Sequence, residues 1–194
     1  MDRPFRFVSC ARGHRLRPLL ESGIAETYTC TYGATLDAFP NLLVALIDGT
    51  TALCAAGVRS EPEAIYAQHY LDQPVHRLLA VAARRVIEIC HFAAFERGVG
   101  PALLPHIVEL GLSLGADWAV FTATSELRCL LKRAGLPIVQ IAAARRERVP
   151  GAETWGSYYE HDPWVCAISA DTARLKACLS GTFVLRDAWK RCHG

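Results

Sequence analysis

A glycine turn between a predicted strand and a predicted helix is the first place where this sequence could bind a charged group. The strand Val86–Ala93 leads into Gly98 and Gly100, and the helix begins at Pro101. The first N–H groups of a helix lack backbone partners and, with the helix dipole, bind phosphate. The predicted ligands are the backbone N–H groups of four consecutive residues, Arg97, Gly98, Val99 and Gly100. The alternative is an ordinary strand-to-helix turn in which glycine supplies a positive φ.

Two titratable side chains lie in the strand before this turn. Glu88 and His91 interrupt a run of apolar residues that is typical of a central strand buried on both faces. Burial raises the pKa of a carboxyl group, so Glu88 is a candidate proton acceptor or amine anchor. Its alternative role is a structural ion pair with one of three arginines, Arg59, Arg84 or Arg85. His91 is the second candidate base, because histidine titrates near neutral pH; otherwise it is a hydrogen-bonded core residue.

Composition predicts a folded domain and excludes several function classes. The chain has 194 residues, 52% of them hydrophobic and 21% charged, which is typical of one globular domain. A net charge of +2 gives no electrostatic case for nucleic acid. The apolar stretches are too short for a transmembrane segment, and no signal peptide is visible after Met1. The eight cysteines form no C-x-x-C pair, which favours reduced thiols, no metal site and a cytoplasmic location.

The order of predicted elements indicates an α/β fold. A hairpin over residues 42–58 and a short helix over Val75–Ala83 precede the strand that contains Glu88. The later predicted elements are a helix ending at Leu114, a strand Trp118–Thr122, a helix from Thr124 or Ser125 to Gly135, a strand Leu136–Ile141 and a helix Thr172–Cys192. Alternating strands and helices predict a layered fold with a partly parallel sheet.

Several short strings occur in the order found in one protein family. They are Tyr32–Ala34, Phe39–Leu43, Ala56–Arg59, Gln68–Pro74, Ile87–Ile89, Phe121–Thr124, Arg133–Pro137 and Trp155–Tyr159, followed by Pro163 and Val165. Over about residues 25–168 the chain therefore resembles the thermostable hemolysin family. That family is similar in layout to the GNAT acyltransferases and to the acyl-homoserine lactone synthases. The resemblance implies a GNAT-like domain over residues 1–168, with a mixed central sheet flanked by helices, and a C-terminal helical extension over residues 169–194.

The resemblance also implies roles for residues around the glycine turn. In GNAT enzymes the strand before the turn supplies a backbone N–H to the thioester carbonyl, and the matching segment is Phe92, Ala93 and Ala94. Phe95 stands where the GNAT turn has Arg or Gln, and His91 replaces an Arg of the homoserine lactone synthases. The usual general-acid tyrosine is replaced by Leu131.

A substitute for the missing acid is predicted among the tyrosines of the Trp155–Tyr159 string. Tyr158, or its neighbour Tyr159, is the candidate proton donor, and the alternative for both is aromatic packing beside Trp155. The thiolate could also leave without a proton donor.

The implied function is N-acyl transfer. The co-substrate would be acyl-CoA or acyl-phosphopantetheine, and the acceptor a small amine or amino-acid-like molecule. Acyl carrier protein is the predicted partner, for which Arg145–Arg148 offers a basic surface; a solvated charged loop is the alternative. Two other interpretations stay open, a lipid-active hemolysin and a protein that binds acyl thioesters without turnover.

Overall fold

The computed structural model describes residues 5–172, in which seven strands form one mixed sheet. The strands are β1 (Arg6–Cys10), β2 (Leu42–Asp48), β3 (Thr51–Arg59), β4 (Val86–Ala94), β5 (Trp118–Ala123), β6 (Val139–Ala143) and β7 (Trp164–Ser169). The α-helices are α1 (Arg17–Tyr32), α2 (Val75–Leu78), α3 (Gly100–Ser113) and α4 (Ser125–Arg133). The spatial order is β1-β2-β3-β4-β5-β7-β6, and only the β4–β5 pair is parallel. The predicted α/β class is confirmed.

Helices cover both faces of the sheet. Since successive residues of a strand point to opposite sides, a single strand contacts the helices of both faces. In β2, Leu43 and Ala45 share a buried cluster with Leu20 and Ile24 of α1. Their neighbours Val44 and Leu46 share another with Leu103 and Ile107 of α3. The first face is called the α1 face and the second the α3 face.

A gap opens in the middle of the sheet. β4 and β5 pair over three residues of each strand, with Val86 opposite Trp118 and Glu88 opposite Val120. β5 pairs with β7 along its whole length, from Trp118 to Ala123. Within residues 5–172, the part of β4 that follows Glu88 has no strand partner on its β5 edge. The two strands therefore diverge beyond Glu88.

A bulge in β4 lies beside this gap. Ala93 is opposite Ala55 and Cys90 is opposite Gly57, so three steps along β4 match two along β3. His91 lies within the extra step and has a φ of 50°. Positive φ is rare for residues other than glycine and is concentrated at functional sites. The bulge changes which side chains of β4 point to each face.

Several boundaries differ from those predicted. The helix expected over Val75–Ala83 ends at Leu78, because Ala80 adopts a φ of 54°. β6 begins at Val139, not Leu136. β1 and β7 were not predicted, and β7 extends to Ser169. The predicted helix Thr172–Cys192 and most of the extension over residues 169–194 lie outside the described residues.

The described residues contain no structural cross-link. Six cysteines within residues 5–172 are free thiols: Cys10, Cys30, Cys54, Cys90, Cys129 and Cys166. No group of three potential metal ligands occurs in the same range. Neither does any helix there have the length and apolar composition needed to span a membrane.

Candidate functional site

A cavity of about 1050 Å³ lies at the gap between β4 and β5. Its walls include Tyr28 and Tyr32 of α1 on one face and Leu104 and Ile107 of α3 on the other. Because these helices lie on opposite faces, the cavity passes through the plane of the sheet. Its volume is at the upper end of the range typical of small-molecule sites.

The two sides of the cavity differ in chemistry. Side chains of α3, of α4 from Leu127 onward and of the segment after α4 form one side, which is apolar apart from Arg133; the apolar members are Pro101, Leu104, Pro105, Ile107, Val108, Leu127, Leu130, Leu131, Leu136 and Ile138. Polar and aromatic side chains of α1, of the start of α4 and of the turn before β7 form the other, namely Thr27, Tyr28, Thr31, Tyr32, Thr124, Ser125, Glu126, Tyr158 and His161. The cavity is suited to a ligand with an apolar part and a polar part.

The glycine turn lies next to this cavity, since Pro101 is part of the wall. The N–H groups of Phe95 and Glu96 both donate to the carbonyl oxygen of Leu53, at 2.9 and 3.1 Å. Gly98 has a φ of 79°, as the turn requires. Within residues 5–172, the N–H groups of Arg97, Gly98 and Gly100 form no backbone hydrogen bond, whereas that of Val99 donates to Glu96 at 3.4 Å. Three of the four predicted phosphate donors therefore lack a backbone acceptor.

The strand before the turn also contributes to the cavity. Phe92, Ala93 and Ala94 all line it, as the predicted donors to the thioester carbonyl must. Gly100 packs on this strand so closely that a Cβ atom there would lie 3.1 Å from Cε1 of Phe92. The close contact fixes the start of α3 against the edge of the gap.

Phe95, which replaces the usual Arg or Gln, has a packing role. Its ring lies against Gly23 of α1, where a Cβ atom would come within 2.8 Å of Cζ. It packs with the cluster on the α1 face that contains Leu20 and Ile24. An apolar ring in this position supplies no charge to a phosphate.

Glu88 is buried, with 2% of its surface exposed, and its carboxylate accepts three hydrogen bonds. The donors are Arg59 at 2.9 Å and the backbone N–H groups of Tyr66 and Ala67, both at 2.8 Å. Burial raises the pKa of Glu88, while Arg59 and the two N–H groups act to lower it. Glu88 is not part of the cavity wall. These contacts are those of the structural alternative, and its catalytic role stays a prediction.

His91 lies at the α1 face of the gap and lines the cavity. The rings of Phe39, Tyr28 and Trp155 surround it, with centroids 5.5, 6.2 and 6.4 Å away. Its Nδ1 atom is buried and has no hydrogen-bond partner among the described residues. Burial, and to a lesser extent the charge of Arg59, lowers the pKa of His91 to about 3. The imidazole is therefore neutral at physiological pH.

Tyr158 also lines the cavity, and its hydroxyl donates to the carbonyl oxygen of Thr122 at 3.4 Å. Burial raises its pKa well above the ordinary value. Tyr159 is not part of the wall, and its hydroxyl is 2.9 Å from that of Tyr70. Leu131, at the position of the usual acid, is buried in the apolar side of the wall. Of the two predicted tyrosines, only Tyr158 reaches the cavity.

A histidine–carboxylate pair on the polar side was not predicted. Nδ1 of His161 lies 3.3 Å from Oε1 of Glu126, and both residues line the cavity. Burial acts to raise the pKa of Glu126, but hydrogen bonds from its own backbone N–H, from His161 and from Thr124 lower it overall. Tyr32 packs against His161 with ring centroids 5.2 Å apart. The pair is 35 positions apart in sequence, and no local motif connects its members.

The basic surface that was predicted to contact a carrier protein is not part of the cavity wall. Arg145, Arg146, Glu147 and Arg148 are all exposed, and Arg148 forms a 2.6 Å ion pair with Asp72. The expected acyl carrier protein contact stays a prediction.

Solved structures of acyltransferases have the same fold as this chain. The AHL synthase LasI superposes with a TM-score of 0.63 at 8% identity, over 89% of this chain and 94% of that one. FeeM, an N-acyl amino acid synthase from uncultured soil microbes, gives 0.60 at 13% identity, over 92% and 98%. BjaI, a CoA-dependent acyl-homoserine lactone synthase with SAM and isopentyl-CoA, gives 0.56 at 11% identity, over 97% of both chains. At these identities the comparison establishes the fold.

The sequence comparisons identify the family. No curated protein matches the chain. Residues 10–174 match the family described as thermostable hemolysin, and this range includes strands β2 to β7 and the last residue of β1. The predicted family is thus confirmed: the chain belongs to the thermostable hemolysin family.

Proposed function

We propose that this chain is an N-acyltransferase that moves an acyl group from an acyl thioester to a small amine. The observation that supports this most directly is the cavity through the sheet, apolar on the α3 face and polar on the α1 face. Acyl transfer to an amine joins an apolar substrate to a polar one, and such a cavity holds both with the reacting atoms near the gap.

The donor would enter from the α3 side. Its acyl chain would lie among the leucines of α3 and α4, such as Leu104 and Leu130. The phosphates of CoA or phosphopantetheine would bind the N–H groups of Arg97, Gly98 and Gly100 at the start of α3. Whether CoA or an acyl carrier protein delivers the thioester is decided outside the cavity, where Arg145–Arg148 is the surface we assign to an acidic carrier. We assign the reaction to the cytoplasm, where both kinds of donor occur.

The chemistry would take place at the gap. The backbone edge of β4 beyond Glu88 has no strand partner within the described residues, so an N–H group there can donate to the thioester carbonyl. We assign His91, which is neutral and lines the cavity, to accept a hydrogen bond from the attacking amine. Tyr158, whose hydroxyl has only the weak contact with Thr122, would give its proton to the departing thiolate.

Glu88 would support the site without contacting the substrates, because it does not line the cavity. Its three hydrogen bonds join β4 to Arg59 and to the backbone at Tyr66 and Ala67. We assign it to holding the paired part of β4 in place, next to the point where the gap begins.

A second function is favoured by two substitutions. Phe95 and Leu131 replace a phosphate ligand and a general acid of the GNAT pattern, as expected of a protein that binds acyl thioesters without turnover. The family name suggests a third function, damage to membranes. No feature of the described residues supports it.

The test is a turnover assay with butanoyl-, decanoyl- and hexadecanoyl-CoA and a mixture of amines and amino acids. Release of free thiol, with N-acyl products found by mass spectrometry, is expected from the decanoyl or longer donor. Saturable binding of acyl-CoA with no product from any acceptor would support the non-catalytic interpretation instead. Leakage of dye from phosphatidylcholine vesicles, without thiol release, would support the hemolysin interpretation.

A further inference from the structure

The polar side of the cavity carries a more specific inference, which rests on the proposed acyltransferase function. We propose that the acceptor is a primary amine without a neighbouring carboxylate, that Glu126 attracts its ammonium group, and that His161 takes a proton from it. Neither residue was singled out by the sequence, and each lines the cavity.

The geometry of the pair suits proton transfer. Nδ1 of His161 faces Oε1 of Glu126 at 3.3 Å, so the carboxylate fixes the ring and favours the tautomer with the proton on Nδ1. Nε2 is then free to accept a proton from a ligand. The side chains of His161 and Glu126 are 35% and 60% exposed, so a proton on the imidazole can pass to water.

Aromatic rings complete a site for a cation. Tyr32 packs edge-on against His161 and against Tyr158, with centroids 5.2 and 5.3 Å apart. Tyr28 follows at 5.6 Å from Tyr32. All four residues line the cavity, and aromatic faces attract ammonium groups. Beside them lies His91, whose buried Nδ1 has no hydrogen-bond partner among the described residues.

The charges on the cavity wall favour an amine over an amino acid. Among the described residues of the wall, Glu126 is the sole carboxylate, and Arg133 is the sole guanidinium. Arg133 is seven residues further along α4, about 10 Å away along its axis. Arg128 is outside the wall and is bound to Asp162 and to the carbonyl oxygen of Ala123. A substrate carboxylate near the pair would therefore meet the carboxylate of Glu126, while the nearby guanidinium of Arg128 is already paired with Asp162.

The step balances as follows. One proton of the ammonium group passes to Nε2 of His161 and on to water. The amine nitrogen then forms a bond to the thioester carbonyl carbon, the C–S bond breaks, and its electron pair leaves on sulfur. The second proton of the nitrogen is lost as the amide forms, and the thiolate gains a proton to become the free thiol.

The experiment compares acceptors that differ only in the carboxylate. With decanoyl-CoA as donor, tyramine is compared with tyrosine and phenethylamine with phenylalanine, and N-acyl product is measured by mass spectrometry. We expect kcat/KM to be at least tenfold higher for each amine than for its amino acid. A preference for the amino acids would overturn the inference while leaving the acyltransferase function intact. Absence of N-acyl product from all four acceptors, and from the wider mixture used above, would overturn both.

Variants separate the two roles. Glu126→Gln is expected to raise KM for the amines and to reduce the preference over amino acids. His161→Gln is expected to lower kcat by about 10²–10⁴-fold with little change in KM. Glu109→Gln is the matched control, because Glu109 faces His106 across 4.0 Å on α3 and neither lines the cavity. Unchanged kinetics in either test variant, with a melting temperature equal to that of the control, would overturn the role assigned to that residue.

Discussion

Gly156 lies so close to the end of α1 that a Cβ atom on it would be 2.0 Å from the carbonyl oxygen of Tyr32. The next residue, Ser157, donates its backbone N–H to the same oxygen at 2.8 Å. Gly156 has a φ of 55°, which side chains other than glycine rarely adopt. This contact explains why glycine is needed in the Trp155–Tyr159 string, and it sets Tyr158 beside Tyr32 at the cavity.

Gly156→Ala is expected to destabilise the protein strongly. The added methyl group must displace backbone, and overpacking of this kind costs about 1–3 kcal/mol in addition to the strain of a positive φ. Gly151→Ala is the matched control, since Gly151 has a φ of 70° and no atom lies within 4 Å of the place that its methyl group would occupy. Urea unfolding should show the larger loss for Gly156→Ala. Equal losses for the two variants would mean that α1 moves away from the turn at little cost.

Glu88→Gln is expected to lower stability and to leave turnover per folded molecule close to that of the unchanged protein. The amide removes the charge that Arg59 faces and directs an NH₂ group at one of three donors. Breaking a buried pair costs about 3–5 kcal/mol. Asp117→Asn is the control, because its pair with Arg85 is exposed and should contribute little. If turnover instead fell 10²-fold or more with intact stability, measured on one preparation, Glu88 would have a catalytic role and not the structural one.

His91 is expected to make stability depend on pH. Burial, with the charge of Arg59, lowers the pKa of His91 to about 3 in the folded chain, whereas an unfolded histidine has a pKa of about 6.5. Below pH 6.5 the unfolded state therefore binds a proton that the folded state does not. The contribution is complete above about pH 6.5 and falls by up to about 1.4 kcal/mol per pH unit as the pH drops toward 3.

His91→Asn isolates this contribution. Asparagine tolerates the left-handed backbone and does not titrate, so the variant should have a flatter profile between pH 6.5 and 4. The measurement is the difference between the two stability curves from urea unfolding. Parallel curves would show that His91 is protonated in the folded protein at these pH values.

Gly98→Glu is expected to weaken CoA binding at least tenfold. A carboxylate at the turn repels phosphate, and its side chain fills the approach to the N–H groups of Arg97 and Gly100. Gly115→Glu at the other end of α3 is the control, because Gly115 has a similar φ of 76° and open space around it. Calorimetric titration with CoA compares the two. Equal affinities would remove the phosphate site from the turn.

Local patterns in the sequence identify much of the fold. Asp48 and Gly49 mark the hairpin between β2 and β3, and the glycine turn marks the junction of β4 and α3. Thr124 is the N-cap of α4, where its side chain accepts a hydrogen bond from the N–H of Leu127. Each of these features depends on residues close together in the chain, so periodicity and turn chemistry suffice.

The site itself depends on contacts that local patterns do not encode. Tyr28–Tyr32 continues α1 despite its β-branched residues, since Gly33 caps the helix with a φ of 67° and the tyrosines pack against the turn before β7. The bulge at His91 depends on its register with β3. The pairing of Glu126 with His161 requires α4 and the turn before β7 to meet. Apart from the Gly33 cap, these are tertiary relationships between residues 33 or more positions apart.

The gap between β4 and β5 has a mechanical consequence. Three residue pairs, from Val86–Trp118 to Glu88–Val120, are the strand-to-strand connection between the four-stranded half of the sheet and the three-stranded half. A sheet whose two halves are joined over so short a length bends most easily at that junction. Rotation about these pairs would widen or narrow the cavity without breaking any other ladder. The amide protons that join β4 to β5 within these three pairs would then report that motion, exchanging with solvent faster than those inside either half.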